Sequence, residues 1–93
     1  MTVPFELRYH PDVKRIDIPH LDAKLQTRIK NAIESRLATA PHLYGDPLRK
    51  TLRGYWKLRV GDYRVVFKIV NEEVWVLGII HRKEVYEAIK KRL

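Results

Sequence analysis

Hydrophobic and polar residues alternate at the start of the chain and then change to a helical period. Residues 5–9 alternate, which is typical of a half-buried strand. Pro11 and Asp12 suit the start of a short helix. Over 21–40 apolar residues recur every three or four positions, which predicts a second helix that ends at Pro41. We therefore expect a strand and then two helices that pack as a hairpin over one sheet face.

Three alternating segments in the second half of the chain predict an antiparallel meander. Residues 42–54 are rich in turn residues and predict a loop, and Gly61-Asp62 is a two-residue hairpin signal. A tight turn there would set Arg59 opposite Arg64 on the face away from the helices. The core face under the helices would hold Trp56, Leu58, Val60, Tyr63, Val65, Phe67 and Ile69.

The length of the turn after Val70 decides which way the last strand faces, because a one-residue slip inverts every side chain. We expect a three-residue loop over 71–73, since a two-residue loop would expose the tryptophan. The expected loop places Trp75, Leu77 and Ile79 in the core. It leaves Val76, Gly78, Ile80 and Arg82 on the opposite face, where Gly78 would give a ligand room to approach the backbone.

A short C-terminal helix over 84–93 completes the predicted order β-α-α-β-β-β-α, an α+β fold. Neither an internal repeat nor a second domain is visible, so residues 1–93 are expected to form a single domain. The N-terminus lacks the apolar core of a signal peptide, and no apolar run approaches a membrane span. We expect a soluble cytoplasmic protein without a membrane partner.

The positive charge is concentrated in the second half of the chain. Residues 1–46 carry seven Lys/Arg and six Asp/Glu, whereas residues 47–93 carry twelve and five, for a net charge of +8. Such clustering favours a polyanionic or acidic partner. The absence of cysteine excludes disulfides, thiolate zinc sites and a cysteine nucleophile. The four histidines show no ligand spacing, so we expect neither a metal nor a cofactor.

Five polar residues of the predicted sheet and last helix could carry chemistry: Lys57, Arg59, Arg64, Arg82 and Tyr86. Such a set suits RNA cleavage without a metal, in which the 2′-hydroxyl of the substrate attacks the adjacent phosphorus. The protein must then remove one proton, neutralise charge on the phosphoryl oxygens and protonate the leaving oxygen. Arginine forks match phosphoryl oxygens, and a lysine crowded by arginines can act as a base. The alternative, a solvated surface that only binds a polyanion, stays open.

The run Leu52-Arg-Gly…Trp56-Lys-Leu-Arg-Val-Gly-Asp-Tyr-Arg-Val-Val-Phe, followed by Ile80-His-Arg…Glu84-Val-Tyr86, resembles the signature of the RelE/ParE superfamily. These proteins are toxins of type II toxin–antitoxin systems, and the resemblance extends over the whole chain. It implies a small α+β domain with a twisted antiparallel sheet. RelE-like members are ribosome-dependent endoribonucleases that cut mRNA in the ribosomal A site, whereas ParE-like members inhibit DNA gyrase.

The resemblance also implies roles for individual residues. Lys57 would be a general base or charge stabiliser, and Arg64 would stabilise the transition state. Arg82 would be a general acid or a phosphate ligand, and Tyr86 would orient the substrate. Tyr55 stands where the RelE pattern has a second lysine, so the arginines or a histidine could share the task of the base.

Further expectations concern RNA contacts and partners. RNA-binding residues are expected to include Arg53, Tyr55, Arg59, Lys68 and Lys83. His81 should point away from Arg82 by strand alternation, which favours a structural role. The resemblance implies a cognate antitoxin, mRNA on the ribosome and, through the antitoxin complex, operator DNA as partners. A ParE-like gyrase inhibitor and a non-toxic antitoxin-binding relative are the alternative functions.

Overall fold

The computed structural model of the protein describes residues 4–93. Residues 1–3, which belong to the N-terminal segment considered above for a signal peptide, lie outside the described residues. Across 4–93 no helix is both long enough and apolar enough to cross a membrane.

The elements follow the predicted order, but the segment predicted as a loop holds a short extra helix that begins at Pro41 and a short extra strand. The strands are β1 (Glu6–Tyr9), β2 (Asp46–Pro47), β3 (Trp56–Val60), β4 (Tyr63–Val70) and β5 (Glu73–His81). The helices are α1 (Ala23–Ala32), α2 (Pro41–Tyr44) and α3 (Val85–Lys90), joined by helical turns at Val13–Asp17, Ile18–His20, Ile33–Leu37 and Lys50–Leu52. The predicted α+β class is confirmed.

Helix α1 starts where the sequence offers a cap and continues into the helical turn Ile33–Leu37. The side chain of Asp22 accepts a hydrogen bond from the backbone N–H of Leu25 at 2.8 Å, which satisfies a donor that the first helical turn leaves free. Every third or fourth residue is buried, including Ile29, Ile33 and Leu37. The predicted helical hairpin therefore lies with its apolar side on the sheet.

The sheet has the strand order β1-β5-β4-β3-β2. Strands β3, β4 and β5 form the predicted antiparallel meander, whereas β1 pairs with β5 in parallel over residues 73–76. The predicted hairpin register is confirmed, because Arg59 lies opposite Arg64 and Lys57 opposite Val66. On the helical side the predicted core is also confirmed, with Leu58, Val60, Val65 and Phe67 buried and Trp56, Tyr63 and Ile69 packed against them.

The predicted facing of β5 is wrong in its first half. Val70 pairs with Glu73, so the turn holds only two residues, and Asn71 adopts the left-handed conformation that such a turn needs, with φ of +54°. As a result Val74 and Val76 lie in the core under the helices, and Trp75 is 39% exposed on the other side.

A β-bulge restores the expected facing in the second half of β5. Phe67 pairs with Val76 but its neighbour Val66 pairs with Gly78, so Leu77 is an extra residue that packs on the far side of the sheet. Beyond the bulge Ile79 faces the helices and Ile80 faces away, as predicted.

The sheet face away from the helical hairpin is partly covered. Helix α3 and the loop before β3 form a second apolar cluster on it, which comprises Leu48, Leu52, Val66, Ile80, Val85 and Ile89. A Cβ atom on Gly78 would lie 2.9 Å from Nη1 of Arg92 and 3.0 Å from Cδ1 of Ile89. The prediction that Gly78 admits a ligand is therefore wrong: Gly78 gives α3 room to pack.

Candidate functional site

The four residues predicted to be catalytic, and Lys83 of those predicted to bind RNA, line one open cleft on this second face. The cleft has a volume of about 350 Å³ and lies where β3, β4, the end of β5 and the start of α3 meet. We call it the basic cleft. Its lining residues are Leu48, Lys57, Arg64, Arg82, Lys83, Val85 and Tyr86.

The hairpin and the bulge together direct the charged side chains into the basic cleft. Lys57 is on β3, and Arg64 is the second residue of β4, after a turn in which Gly61 adopts a φ of +60°. Arg82 follows the last residue of β5 and owes its facing to the extra residue in the bulge. Tyr86 is in the first turn of α3.

The Arg64 side chain is held by the backbone of the hairpin. Its Nη1 donates hydrogen bonds to the carbonyl oxygens of Gly61 at 3.0 Å and Tyr63 at 2.9 Å. These bonds use one edge of the guanidinium group, and its other nitrogens donate no hydrogen bond to residues 4–93. Arg64 therefore presents a fixed fork with free donors, which is the geometry that a phosphoryl group requires.

Arg82 and Tyr86 are positioned by contacts at the rim of the cleft. The backbone N–H of Arg82 donates to the carbonyl oxygen of Asp62 at 2.9 Å, and its Nε is 3.9 Å from the Asp62 carboxylate. Both side chains of this ion pair are largely exposed, so it restrains Arg82 only weakly. The Tyr86 hydroxyl accepts a long hydrogen bond of 3.4 Å from the backbone N–H of Arg49, and the side chain is 40% exposed.

The cleft is lined by four cations and by no carboxylate, over a floor of two apolar residues, Leu48 and Val85. A cleft that has low-dielectric walls and positive charges only raises the local concentration of anions. Histidine, aspartate and glutamate side chains do not gather in groups of three or more anywhere in the described part of the chain, so no arrangement there is suited to a metal ion. The cleft is equipped to bind and stabilise a phosphate group.

Four of the residues expected to bind RNA lie outside the basic cleft: Arg53, Tyr55, Arg59 and Lys68. Arg59 departs most from expectation, because its side chain lines a separate depression beside α1 instead of lying next to Arg64. Strand β2 covers β3 only at Trp56 and Lys57, so the long Arg59 side chain can bend around the open edge. Lys83 does line the cleft.

His81 lies outside the cleft, as strand alternation indicated. Its ring packs edge-on against Tyr63, with a centroid distance of 5.5 Å and an interplanar angle of 81°. The backbone N–H of Lys83 donates to Nδ1 of His81 at 3.3 Å. These contacts give His81 a role in the turn after β5.

The sequence did not identify the two floor residues of the cleft. Leu48 lies in a loop without hydrophobic periodicity, so only the tertiary packing on Val66 and Ile80 reveals its place. Val85 precedes Tyr86 and faces the same apolar cluster, and its position at the start of an amphipathic helix was the one available signal.

The fold is that of the RelE-like toxins. A chain of the RelBE2 toxin–antitoxin complex from Mycobacterium tuberculosis superposes with a TM-score of 0.79 at 28% identity, over 88% of this chain and 95% of that one. Toxin RelG of the same organism is 28% identical over 86 residues, which cover 90% of this chain and 98% of RelG.

Toxin RelE of Mycobacterium tuberculosis is 33% identical over 72 residues, or 75% of this chain and 74% of that protein. Residues 7–86 match the family model described as the ParE toxin of the type II toxin–antitoxin system parDE. The chain therefore belongs to the RelE/ParE superfamily of type II toxins.

Proposed function

We propose that the protein is an endoribonuclease that cleaves mRNA on the ribosome. The observation that carries this proposal is the convergence of Lys57, Arg64, Arg82 and Tyr86 on one open cleft of about 350 Å³. Binding of a polyanion alone would be served by cations spread over a surface. A lysine, two arginines and an aromatic ring around one concave site supply instead the separate functions that phosphodiester cleavage needs.

The chemistry uses a nucleophile that the RNA itself provides. The 2′-oxygen attacks the adjacent phosphorus, the bond from phosphorus to the 5′-oxygen breaks, and the products are a 2′,3′-cyclic phosphate and a 5′-hydroxyl. Lys57 is the residue of the cleft that we assign to the proton of the 2′-hydroxyl, since arginine cannot serve as a base near neutral pH. The leaving 5′-oxygen takes its proton from solvent.

The arginines act on the charge that develops at phosphorus. The free donors of Arg64 bind the phosphoryl oxygens, and Arg82 approaches from the adjacent end of β5. Because these groups are held before the substrate arrives, they stabilise the transition state without a further cost of reorganisation. The half-exposed Tyr86 ring provides a surface on which a base next to the scissile bond can stack.

A cognate antitoxin is the protein partner that we propose. The related RelBE2 protein was solved as a toxin–antitoxin complex. An acidic segment of the antitoxin would neutralise the cations of the basic cleft and exclude RNA from it. Operator DNA would be bound through that complex.

The decisive test is mapping of mRNA ends in a translation reaction to which the purified toxin is added. The parent protein is expected to produce new 5′ ends within the translated region, and Arg64→Ala is expected to reduce the cleavage rate by about 10²- to 10³-fold because it removes charge stabilisation. Arg15→Ala is a matched control, since Arg15 is an exposed arginine that bonds to Asp12 and lies outside the cleft. Equal cleavage by Arg64→Ala and Arg15→Ala would remove Arg64 from the site.

Gyrase inhibition is the second candidate function, because the family model that matches residues 7–86 is that of the ParE toxin. A supercoiling assay with purified gyrase distinguishes the two candidates. Inhibition of supercoiling together with intact mRNA would establish the second function. Neither effect, combined with binding of an antitoxin, would identify a non-toxic relative.

A further inference from the structure

Three arginine residues line one depression on the other side of β3 from the basic cleft. Arg28 comes from α1, Arg36 from the helical turn that continues it, and Arg59 from β3. Together with Asn31, Ala32, Ser35 and Val60 they line a depression of about 260 Å³. We call this depression the arginine groove; its lining includes no acidic residue.

The three guanidinium groups have no counter-ion in the described part of the chain. Within residues 4–93 none of them lies within 4.0 Å of a carboxylate oxygen. Arg36 packs over the ring of Tyr44 at 5.7 Å, and a Cβ atom on Gly61 would lie 3.3 Å from Nη1 of Arg28. Three cations that share one depression without a counter-ion attract anions to it, so an anionic partner in the groove would be stabilising.

The spacing of the arginines fits an extended anion better than a small one. Arg28 and Arg36 are two helical turns apart on one stripe of the helix, which separates them by about 12 Å along the axis. Arg59 lies directly across the ladder from Arg64, which lines the basic cleft. A polyanion that crosses the open edge of β3 could therefore contact both basic sites.

A phosphodiester backbone fits the groove better than an acidic peptide does. Arginine forks bind phosphate oxygens in pairs, and every nucleotide supplies one such group. A peptide segment usually gains its affinity from side chains buried in apolar pockets. The groove offers only Ala32 and Val60 as apolar lining, so it has no pocket for such an anchor.

We propose that the arginine groove binds the phosphodiester backbone of a nucleic acid, separately from the basic cleft. The backbone could belong to folded RNA or to duplex DNA, because both present the same phosphate chemistry. The groove adds an attachment point that does not take part in cleavage. Its binding can be measured without any catalytic activity, so failure of the proposed function would leave this inference intact.

The experiment measures binding of a fluorescent RNA hairpin and of a DNA duplex of the same sequence over a series of salt concentrations. The variant Arg28→Gln/Arg36→Gln/Arg59→Gln is compared with Lys14→Gln/Lys30→Gln/Lys90→Gln, which removes the same charge from exposed positions outside both basic sites. For the arginine variant, the slope of log affinity against log salt should become shallower by about 2 to 3, at 0.7 to 0.9 per phosphate contact. The lysine control should change it by less than about 1.

Each outcome bears on the proposal. A shallower salt slope for the arginine variant with RNA, with DNA or with both supports the proposal and identifies the nucleic acid that the groove binds. Equal slopes for the two triple variants, or no binding of either probe by the parent protein, would overturn it. Unchanged nucleic-acid binding with lost antitoxin binding would also overturn it, because the groove would then be a protein contact. The variant Arg28→Lys/Arg36→Lys/Arg59→Lys keeps the charge and should keep the slope, and thermal unfolding checks that all variants are folded.

Discussion

Tyr9 lies at the end of β1, in a groove that it shares with Glu34 of the helical layer. Burial raises the pKa of the Tyr9 hydroxyl above its ordinary value, and the negative charge of Glu34 raises it further. Both causes disfavour the phenolate in the folded protein. The folded state therefore holds this proton more tightly than the unfolded chain does.

The raised pKa of Tyr9 predicts a specific loss of stability at alkaline pH. The contribution of Tyr9 is fully present below its unfolded pKa of about 10 and is lost as the pH rises through the higher pKa of the folded state. We expect the difference in unfolding free energy between the parent and Tyr9→Phe to be constant up to about pH 9 and to fall at higher pH. Urea denaturation at a series of pH values measures this difference.

Glu34→Gln is the companion variant for that measurement. It removes the second cause of the raised pKa and leaves burial, the larger cause, in place. The loss of unfolding free energy at alkaline pH should therefore become smaller in Glu34→Gln but should not disappear. A parent-to-Tyr9→Phe difference that stays constant up to pH values well above 10 would contradict the assignment.

At the residue scale, the charged residues of the basic cleft were predicted from the sequence, whereas the apolar floor of the cleft and the position of the Arg59 side chain were not. Lys57 and Arg64 could be placed because strand alternation and a two-residue turn leave few choices for their facing. Arg59 obeys the same register, yet its side chain turns the other way at an open strand edge. Register determines where a Cβ atom points, whereas the end of a long side chain follows the space and charge around it.

The strand β5 shows what hydrophobic pattern alone cannot decide. The turn length and the bulge at Leu77 each change the facing by one residue, and their effects cancel beyond the bulge. The prediction for Ile79, Ile80 and Arg82 was therefore confirmed although the prediction for Trp75 was wrong. Apolar residues on both faces of β5 made the two registers equally compatible with burial.

The packing of α3 on β5 depends on the absence of a side chain at Gly78. In Gly78→Ala the new methyl group would overlap Nη1 of Arg92 at 2.9 Å and Cδ1 of Ile89 at 3.0 Å. Both atoms are side-chain ends in buried contacts, and Nη1 of Arg92 can move only by weakening its hydrogen bonds to Asp17 and to the carbonyl oxygen of Leu77. We expect a loss of about 1 to 3 kcal/mol in the free energy of unfolding, as is typical of overpacking, measured by chemical denaturation.

The same substitution can be compared in the background of Arg92→Gln, which shortens the clashing side chain. The additional cost of Gly78→Ala should then be smaller than in the parent protein, because one of the two overlaps is relieved. If the cost is the same in both backgrounds, Arg92 does not determine the requirement for glycine.

On the scale of the whole molecule, a buried ion pair joins the two ends of the described chain. Asp17 is 5% exposed and accepts hydrogen bonds from Arg92 at 2.6 and 2.7 Å and from the backbone N–H of Ile79 at 2.8 Å. Arg92 also donates to the carbonyl oxygen of Leu77 at 2.9 Å, just beyond the part of β5 that β1 pairs. The hydrogen bonds that Arg92 donates to Asp17 raise the pKa of Arg92, which keeps the guanidinium charged.

Breaking this pair should affect the stability of the whole fold. Asp17→Asn removes the close carboxylate from a buried guanidinium and leaves only Asp12, whose Oδ2 lies 3.7 Å from Nε of Arg92. Removing one partner of a buried pair costs about 3 to 5 kcal/mol of unfolding free energy, and the remaining Asp12 places the expected loss at the lower end of that range. Asp62→Asn is the control, because the Asp62–Arg82 pair is exposed and long and should contribute about 1 kcal/mol or less. Urea denaturation of both variants measures the contrast, and similar losses for the two would show that the buried pair contributes little.

The bulge at Leu77 also affects how this chain is compared with its relatives. A relative whose last strand lacks the extra residue, with the same turn before it, would reach the place of Arg82 one residue earlier in its sequence. Aligning the two sequences letter by letter would then match residues that occupy opposite sides of the sheet. A comparison of the two sites therefore needs a gap of one residue at the bulge.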